Sequence, residues 1–151
     1  MPRAIIYIDW PNQGHRGWDL VKLVDTIGAE VTILETVLYE EEPGASLSRI
    51  TRYQDELPRC GLRRVLLPVL RKPKRELVDV QLSVDMVSDA YENKLDLAIL
   101  VAGDADYVPA VRKLIALGKQ VRGAAFGSPS GELRSLIEVL PLESVLPSIK
   151  Y

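Results

Sequence analysis

Asp104 and Asp106, within LDLAILVAGDADYVPAVRKLIALG at 95–118, are the residues whose type and spacing point most directly to chemistry. Carboxylate oxygens are hard ligands, so two of them held close together suit a divalent cation such as Mg²⁺ or Mn²⁺. The apolar run Leu97 to Ala102 is too short for a helix and is closed by Gly103, which predicts a buried strand. Beyond the acids, Val108, Val111, Leu114, Ile115 and Leu117 recur at helical spacing and predict a helix that stops at Gly118. The two carboxylates therefore stand where a strand turns into a helix, the place where parallel α/β sheets keep their ligands. The same residues admit a plainer role, in which Asp106 is a helix N-cap that accepts backbone N–H bonds just ahead of Pro109.

Three further acids and one amide fall at related places. Asp9 ends an apolar run, Ala4 to Ile8, that reads as a first strand covered on both faces. Asp79 opens a helix expected over about 78–91, where the macrodipole favours a carboxylate whether or not it has another task. If the first and fourth strands are neighbours, Asp9, Asp79, Asp104 and Asp106 share one pocket. Asn12, in DWPN, has an amide that can orient a carboxylate or a phosphate, although Pro-Asn is also ordinary turn chemistry. Asp85 lies on the stripe of Val78, Leu82 and Asp89. At about 100° per residue it is offset by about 120° from Asp79, so the two form no site by themselves. Asp85 is open to three roles: ligand, support for a ligand, or solvated acid.

The elements that must position these side chains alternate along the chain. Strands are expected over 3–9, 30–39, 64–70, 97–102 and 120–126, and helices over 18–27, 47–57, 78–91, 108–117 and 132–140. WPNQGHRG, the acidic EEEPG and the basic RKPKRE read as loops, and PLESVLPSIKY either adds a short edge strand or trails off. Such alternation predicts an α/β fold, a central mostly parallel sheet with helices on both faces. At 151 residues and 47% hydrophobic content, one domain over 1–151 is expected, with room for a real core.

Composition excludes several functions. Nineteen basic against twenty-one acidic residues give a net charge of −2, so any nucleic-acid binding must come from local charge. The single Cys60 excludes an internal disulfide and a thiolate zinc site, and fits a reducing cytoplasm. The first apolar run ends at Asp9, short of a signal-peptide core, and no stretch approaches a membrane span, so a cytoplasmic protein without an anchor is expected. Gly14, Gly17 and Gly28 do not make GxGxxG, which argues against a nucleotide cofactor, and no GxSxG elbow is present. His15 is the only histidine and lacks a partner in sequence for general-base work. Trp10 and Trp18 have faces on which bases can stack, but Trp18 at a helix start is more often core.

DWPN at 9–12, VDVQLSVD at 78–85 and AGDADYVP at 102–109, with the continuation VRKLIALGKQVRGAAF, resemble the signature segments of the NYN domains, the LabA-like branch of the PIN-like nuclease superfamily. The resemblance runs from Ile5 to about Phe126. It implies a Rossmann-like PIN/NYN fold with the first strand beside the fourth, and an acidic pocket that holds Mg²⁺ or Mn²⁺ and cleaves RNA. Asp9, Asn12, Asp79, Asp85, Asp104 and Asp106 match the family's polar site residues by position. Departures stand at Glu76, where members often carry Lys, at Ala102 in place of a usual Ser, at Ala105, and at Trp10 and Pro11 where a Gly is common.

Together these readings lead to a metal-dependent ribonuclease. Asp9 and Asp104 come first as direct ligands, Asp79 and Asp106 as ligands or water-positioning groups, and Asp85 after them. Asn12, with Arg71, Lys72, Lys74 and Arg75, would bind substrate phosphate. The expected partner is RNA, with no membrane and with a homodimer left open. A non-catalytic module that binds RNA or protein is the alternative. A phosphotransferase of the haloacid-dehalogenase type is disfavoured because Pro11 stands where that chemistry usually has a second Asp.

The cations of 71–75 contribute to affinity without reading bases. Replacing Arg71, Lys72, Lys74 and Arg75 by Ala should weaken binding to unrelated RNAs by similar factors. A plot of log affinity against log salt should flatten by roughly one unit for each phosphate that is no longer neutralised.

Overall fold

A computed structural model describes residues 1–13, 19–44, 61–71, 74–75 and 77–145. The central strands are β1 (Arg3–Asp9), β2 (Thr32–Glu41), β3 (Leu62–Leu67), β6 (Leu97–Val101), β7 (Gln120–Ala125) and β8 (Val139–Pro141). They form one sheet in the order β3-β2-β1-β6-β7-β8. Every adjacent pair is parallel. The order reverses between β1 and β6, so the ends of these two strands flank a topological switch point. Two short strands, β4 (Leu70–Arg71) and β5 (Lys74–Arg75), pair antiparallel outside this sheet. The basic segment, expected as a loop, thus contributes a short antiparallel pair, while residues 72–73 lie outside the described residues.

Helices cover both faces. Along β1 the side chains alternate: Ala4, Ile6 and Ile8 join a core with Leu20, Leu23 and Val24 of α2 (Leu20–Ile27). Ile5 and Tyr7 join the opposite core, with Val78, Leu82 and Met86 of α3 (Leu77–Tyr91) and Val111 and Leu114 of α4 (Val108–Ala116). By the same alternation Asp9 falls on the α3 side, which is what turns a strand-terminal acid toward Asp79.

Two buried phenols fasten α3 to the sheet. Tyr7 donates to Asp89 Oδ2 at 2.6 Å, and Tyr39 of β2 donates to Asp85 Oδ2 at 2.7 Å. Burial first, and these carboxylates second, push both hydroxyls well above the usual tyrosine range, so each keeps its proton and remains a donor. At the opposite rim, Arg3 makes a forked contact with Asp96, at 3.2 and 3.0 Å, and holds that carboxyl down at about 2.

Several boundaries differ from the sequence expectations. β2 runs on to Glu41 because Glu40, expected in an acidic loop, is fully buried and takes a two-pronged ion pair from Arg64 of β3, both contacts at 2.7 Å. WPNQ is a short helix, α1 (Trp10–Gln13), rather than loop: Asp9 accepts the N–H of Asn12 as an N-cap would, and Pro11 sits in the first turn, where a missing N–H costs nothing. The helix expected over 132–140 is α5 (Gly131–Leu136), and the chain then turns into β8, followed by α6 (Leu142–Val145). The helix expected over 47–57 lies outside the described residues.

The β7–β8 pairing depends on close approach at Gly123, where an added Cβ would meet Val139 Cγ2 at 2.9 Å and Ile137 Cδ1 at 3.3 Å. Gly123→Ala should therefore lower stability by about 1–3 kcal/mol. Urea denaturation should show this as a fall in midpoint at unchanged slope.

Candidate metal centre

The carboxyl ends of β1 and β6 lead into two capped turns. Asp9 Oδ1 accepts the N–H of Asn12 at 3.1 Å and so fixes the start of α1. Asp104 Oδ1 accepts the N–H of Asp106 at 2.9 Å and caps a 3₁₀ turn, Ala105–Tyr107, that leads into α4 with Pro109 in its first turn. The cap of this junction is thus Asp104, not Asp106, and capping leaves Asp104 a second oxygen for other work.

Sequence reasoning misses Tyr107, which lies at the centre of the arrangement. Its buried hydroxyl donates to Asp9 Oδ2 at 2.7 Å and, more weakly, to Asp79 Oδ1 at 3.2 Å. It misses Gln13 as well. This amide is buried, donates from Nε2 to Asn12 Oδ1 at 2.6 Å and accepts the Phe126 N–H on Oε1 at 2.6 Å. Asn12 Oδ1 also accepts the Gly103 N–H at 3.2 Å. These amides thereby stitch together the ends of β1, β6 and β7. The signal for Tyr107 is its place directly after the acids on the first helical turn; Gln13 has none, being one polar residue among turn formers.

Asp79, Asp104 and Asp106 each offer a ligand oxygen, and the three atoms lie within 4.8 Å of one another. Asp79 and Asp104 are half-buried and Asp106 is exposed, so the set opens to solvent on one side. Asp9 is deeper, only 2% exposed, and lines the same cleft of about 300 Å³ with Pro11, Asn12, Val78, Asp79 and Asp104. Glu41, at the end of β2, also lines it. The strand-end rule that selects Asp9 would also select Glu41 once the end of β2 is placed correctly.

Other candidates lie apart. Asp85 is engaged by Tyr39 and by Gln81 Nε2 at 2.9 Å and does not join the converging set. Within the basic run, Arg63 pairs with Glu35 at 2.6 Å and Arg64 with Glu40, so both serve the sheet. Arg71, Lys74 and Arg75 are placed in the β4–β5 pair by their backbone. His15, Trp18 and Cys60 lie outside the described residues.

Electrostatics follow from crowding. Burial is the first cause that raises the Asp79 carboxyl, to about 7, followed by the charge of Asp9, the approach of Asp106 and the charge of Asp104, with Tyr107 opposing. Asp9 is also raised, again chiefly by burial, while the bonds from Tyr107 and Asn12 oppose the shift. Asp79 Oδ2 is buried and has no hydrogen-bond partner. An orphaned, desolvated carboxylate oxygen beside two others is poorly satisfied alone and well matched to a hard cation.

A six-stranded parallel sheet with an acidic cleft at its switch point defines a Rossmann-like α/β domain of the PIN/NYN kind. The chain belongs to the NYN domain family, whose model matches residues 3–141. Among solved structures, a protein of unknown function from Vibrio parahaemolyticus is similar over 93% of this chain and 91% of that one, with TM-score 0.73 and 19% identity. That likeness shows the fold alone. No curated protein matches the sequence. No helix among the described residues is long and apolar enough to cross a membrane.

The raised Asp79 carboxyl makes a signed prediction for the metal-free protein. Between about pH 4 and pH 7 the folded state keeps a proton that the unfolded chain has released, so stability falls as pH rises through this window. Asp79→Asn should flatten that slope and raise the melting temperature at pH 8. Mn²⁺ should stabilise the wild type more at pH 8 than at pH 5, because protons compete with the ion for the same oxygens. Thermal melts at the two pH values, with and without Mn²⁺, check both expectations.

Proposed function

We propose that this chain is a metal-dependent ribonuclease of the LabA-like NYN type, acting in the cytoplasm through Mg²⁺ or Mn²⁺. The observation that carries the reading is the convergence of Asp79, Asp104 and Asp106 at the switch point of an NYN domain, with Asp79 Oδ2 buried and unpartnered. These three carboxylates would hold the ion. Asp9, on the wall of the same cleft, adds charge beside them and keeps free lone pairs with which to join the set.

A divalent ion held there would supply a Lewis acid and an activated water for in-line attack on a phosphodiester. The chain's part is positioning and charge. Asp104 is fixed by its cap, Asp9 by the Asn12 N–H, and the Tyr107 hydroxyl sets Asp79 against Asp9. Asn12 is held by Gly103 and Gln13 at the mouth of the cleft, where its side chain meets substrate phosphate. Cations near residues 71–75, adjoining the start of α3, would offset the negative cleft as RNA approaches.

Purified protein should cleave single-stranded RNA with Mn²⁺ or Mg²⁺ and lose this activity in EDTA. Asp104→Asn and Asp9→Asn should each reduce the rate by roughly 100-fold or more, the scale expected when several kcal/mol of charge stabilisation are removed. Their melting temperatures should stay near that of the wild type. Cleavage by Asp9→Asn at the wild-type rate would move the activity to another site or a contaminant. Metal binding without cleavage would identify a binding module instead.

A further inference from the structure

A second cavity adjoins the acidic cleft and shares Asp79 with it. A groove of about 430 Å³ runs between α3 and α4, and Asp79 and Asp106 line its near end. Its remaining walls are Val80, Ser83 and Val84 on one helix and Pro109 and Ala110 on the other. Val80 and Val84 are 62% and 53% exposed, a costly display for β-branched apolar side chains one helical turn apart. Ser83 Oγ is the only neutral polar side-chain atom among these lining residues.

We propose that this groove is a nucleobase subsite, holding the base of the nucleotide whose phosphate lies at Asp79, Asp104 and Asp106. The proposal rests on the ribonuclease reading for the placement of that phosphate. Three features select the occupant. No cation stands among the groove's described lining residues, so beyond the ion at Asp79 and Asp106 nothing described there neutralises a second phosphate, while a neutral, flat ring needs no such partner. Apolar walls on two sides fit the faces of a ring, and Ser83 can donate to or accept from its edge. Val80 and Val84 lie about 1.5 and 7.5 Å beyond Asp79 along the helix axis, a range that matches the reach of one nucleotide from phosphate to base. Walls that are apolar apart from Ser83 would favour bases by the ring area they cover, hence purines over pyrimidines, with little further sequence preference.

Methyl NMR of the whole chain with Mg²⁺ tests this directly, using 5′-AMP and 3′-AMP as probes and ribose 5-phosphate as the base-free control. At millimolar nucleotide, the Val80 and Val84 methyl signals should move upfield under the ring current with at least one AMP isomer and stay still with ribose 5-phosphate. Val84→Ser should weaken the AMP response by roughly 5-fold or more while leaving the response to ribose 5-phosphate at the Gly103 amide unchanged. Methyl shifts that are equal for the two probe classes, or absent with both AMP isomers, overturn the subsite. Methyl shifts that appear on raising protein concentration alone also overturn it and assign the valines to a second copy of the chain. The two readings fail separately: AMP in the groove without RNA cleavage keeps the subsite and removes the nuclease, and cleavage with silent valines does the reverse.

Discussion

Four carboxylates crowd the ends of two adjacent parallel strands, and one phenolic hydroxyl keeps two of them in place. Tyr107 has a single proton to give, shared unequally between Asp9 and Asp79. Like charges in a desolvated cleft repel strongly, so without such donors the acids would turn outward or take up protons. Backbone N–H groups supply the rest of the restraint, one on Asp9 and one on Asp104. The remainder of the molecule can be read as what delivers these donors: β1 beside β6 brings the turns together, and the 3₁₀ turn after Asp104 swings Tyr107 beneath them.

The legible part of this arrangement is the part written in periodicity. Unbroken apolar runs at Ala4–Ile8 and Leu97–Val101 declare buried parallel strands, and the strand-end rule then selects Asp9 and Asp104 from twenty-one acids. Pairing between distant residues is not legible. Glu40 looks like surface in EEEPG, and the Arg64 fork on the neighbouring strand helps make its burial tolerable. Gln13 looks like turn filler until Phe126 and Asn12 are seen on either side of it. Val139 and Leu140 continue a helical pattern in sequence, and it is the glycine at position 123 on the partner strand that lets them lie flat as β8.

Helix α3 shows how the same residue type takes different work from its surroundings. Asp79, Asp85 and Asp89 lie along one helix, and a buried phenol meets each of them. At Asp85 and Asp89 the tyrosine sits close, at 2.7 and 2.6 Å, and the acid is spent as an acceptor. At Asp79 the phenol is farther, at 3.2 Å from Oδ1, and belongs mainly to Asp9, while the other oxygen, Oδ2, is buried without a partner. Family resemblance in sequence matches Asp79 and Asp85 alike; what separates them is that Tyr39 and Gln81 occupy both Asp85 oxygens, whereas Asp79 keeps one unpartnered.

The amide thread through Asn12 and Gln13 bears on how the cleft breathes. Gly103 and Phe126 each give a backbone proton to this thread, so the mouths of three strands cannot spread apart without stranding polar atoms that water reaches poorly. Local fluctuation is thereby confined to the open side, where Asp106 is exposed, and the other acids keep their orientation. An incoming ion would meet a socket whose conformational entropy was surrendered when the chain folded, so most of its binding energy would go into affinity instead of into ordering the rim.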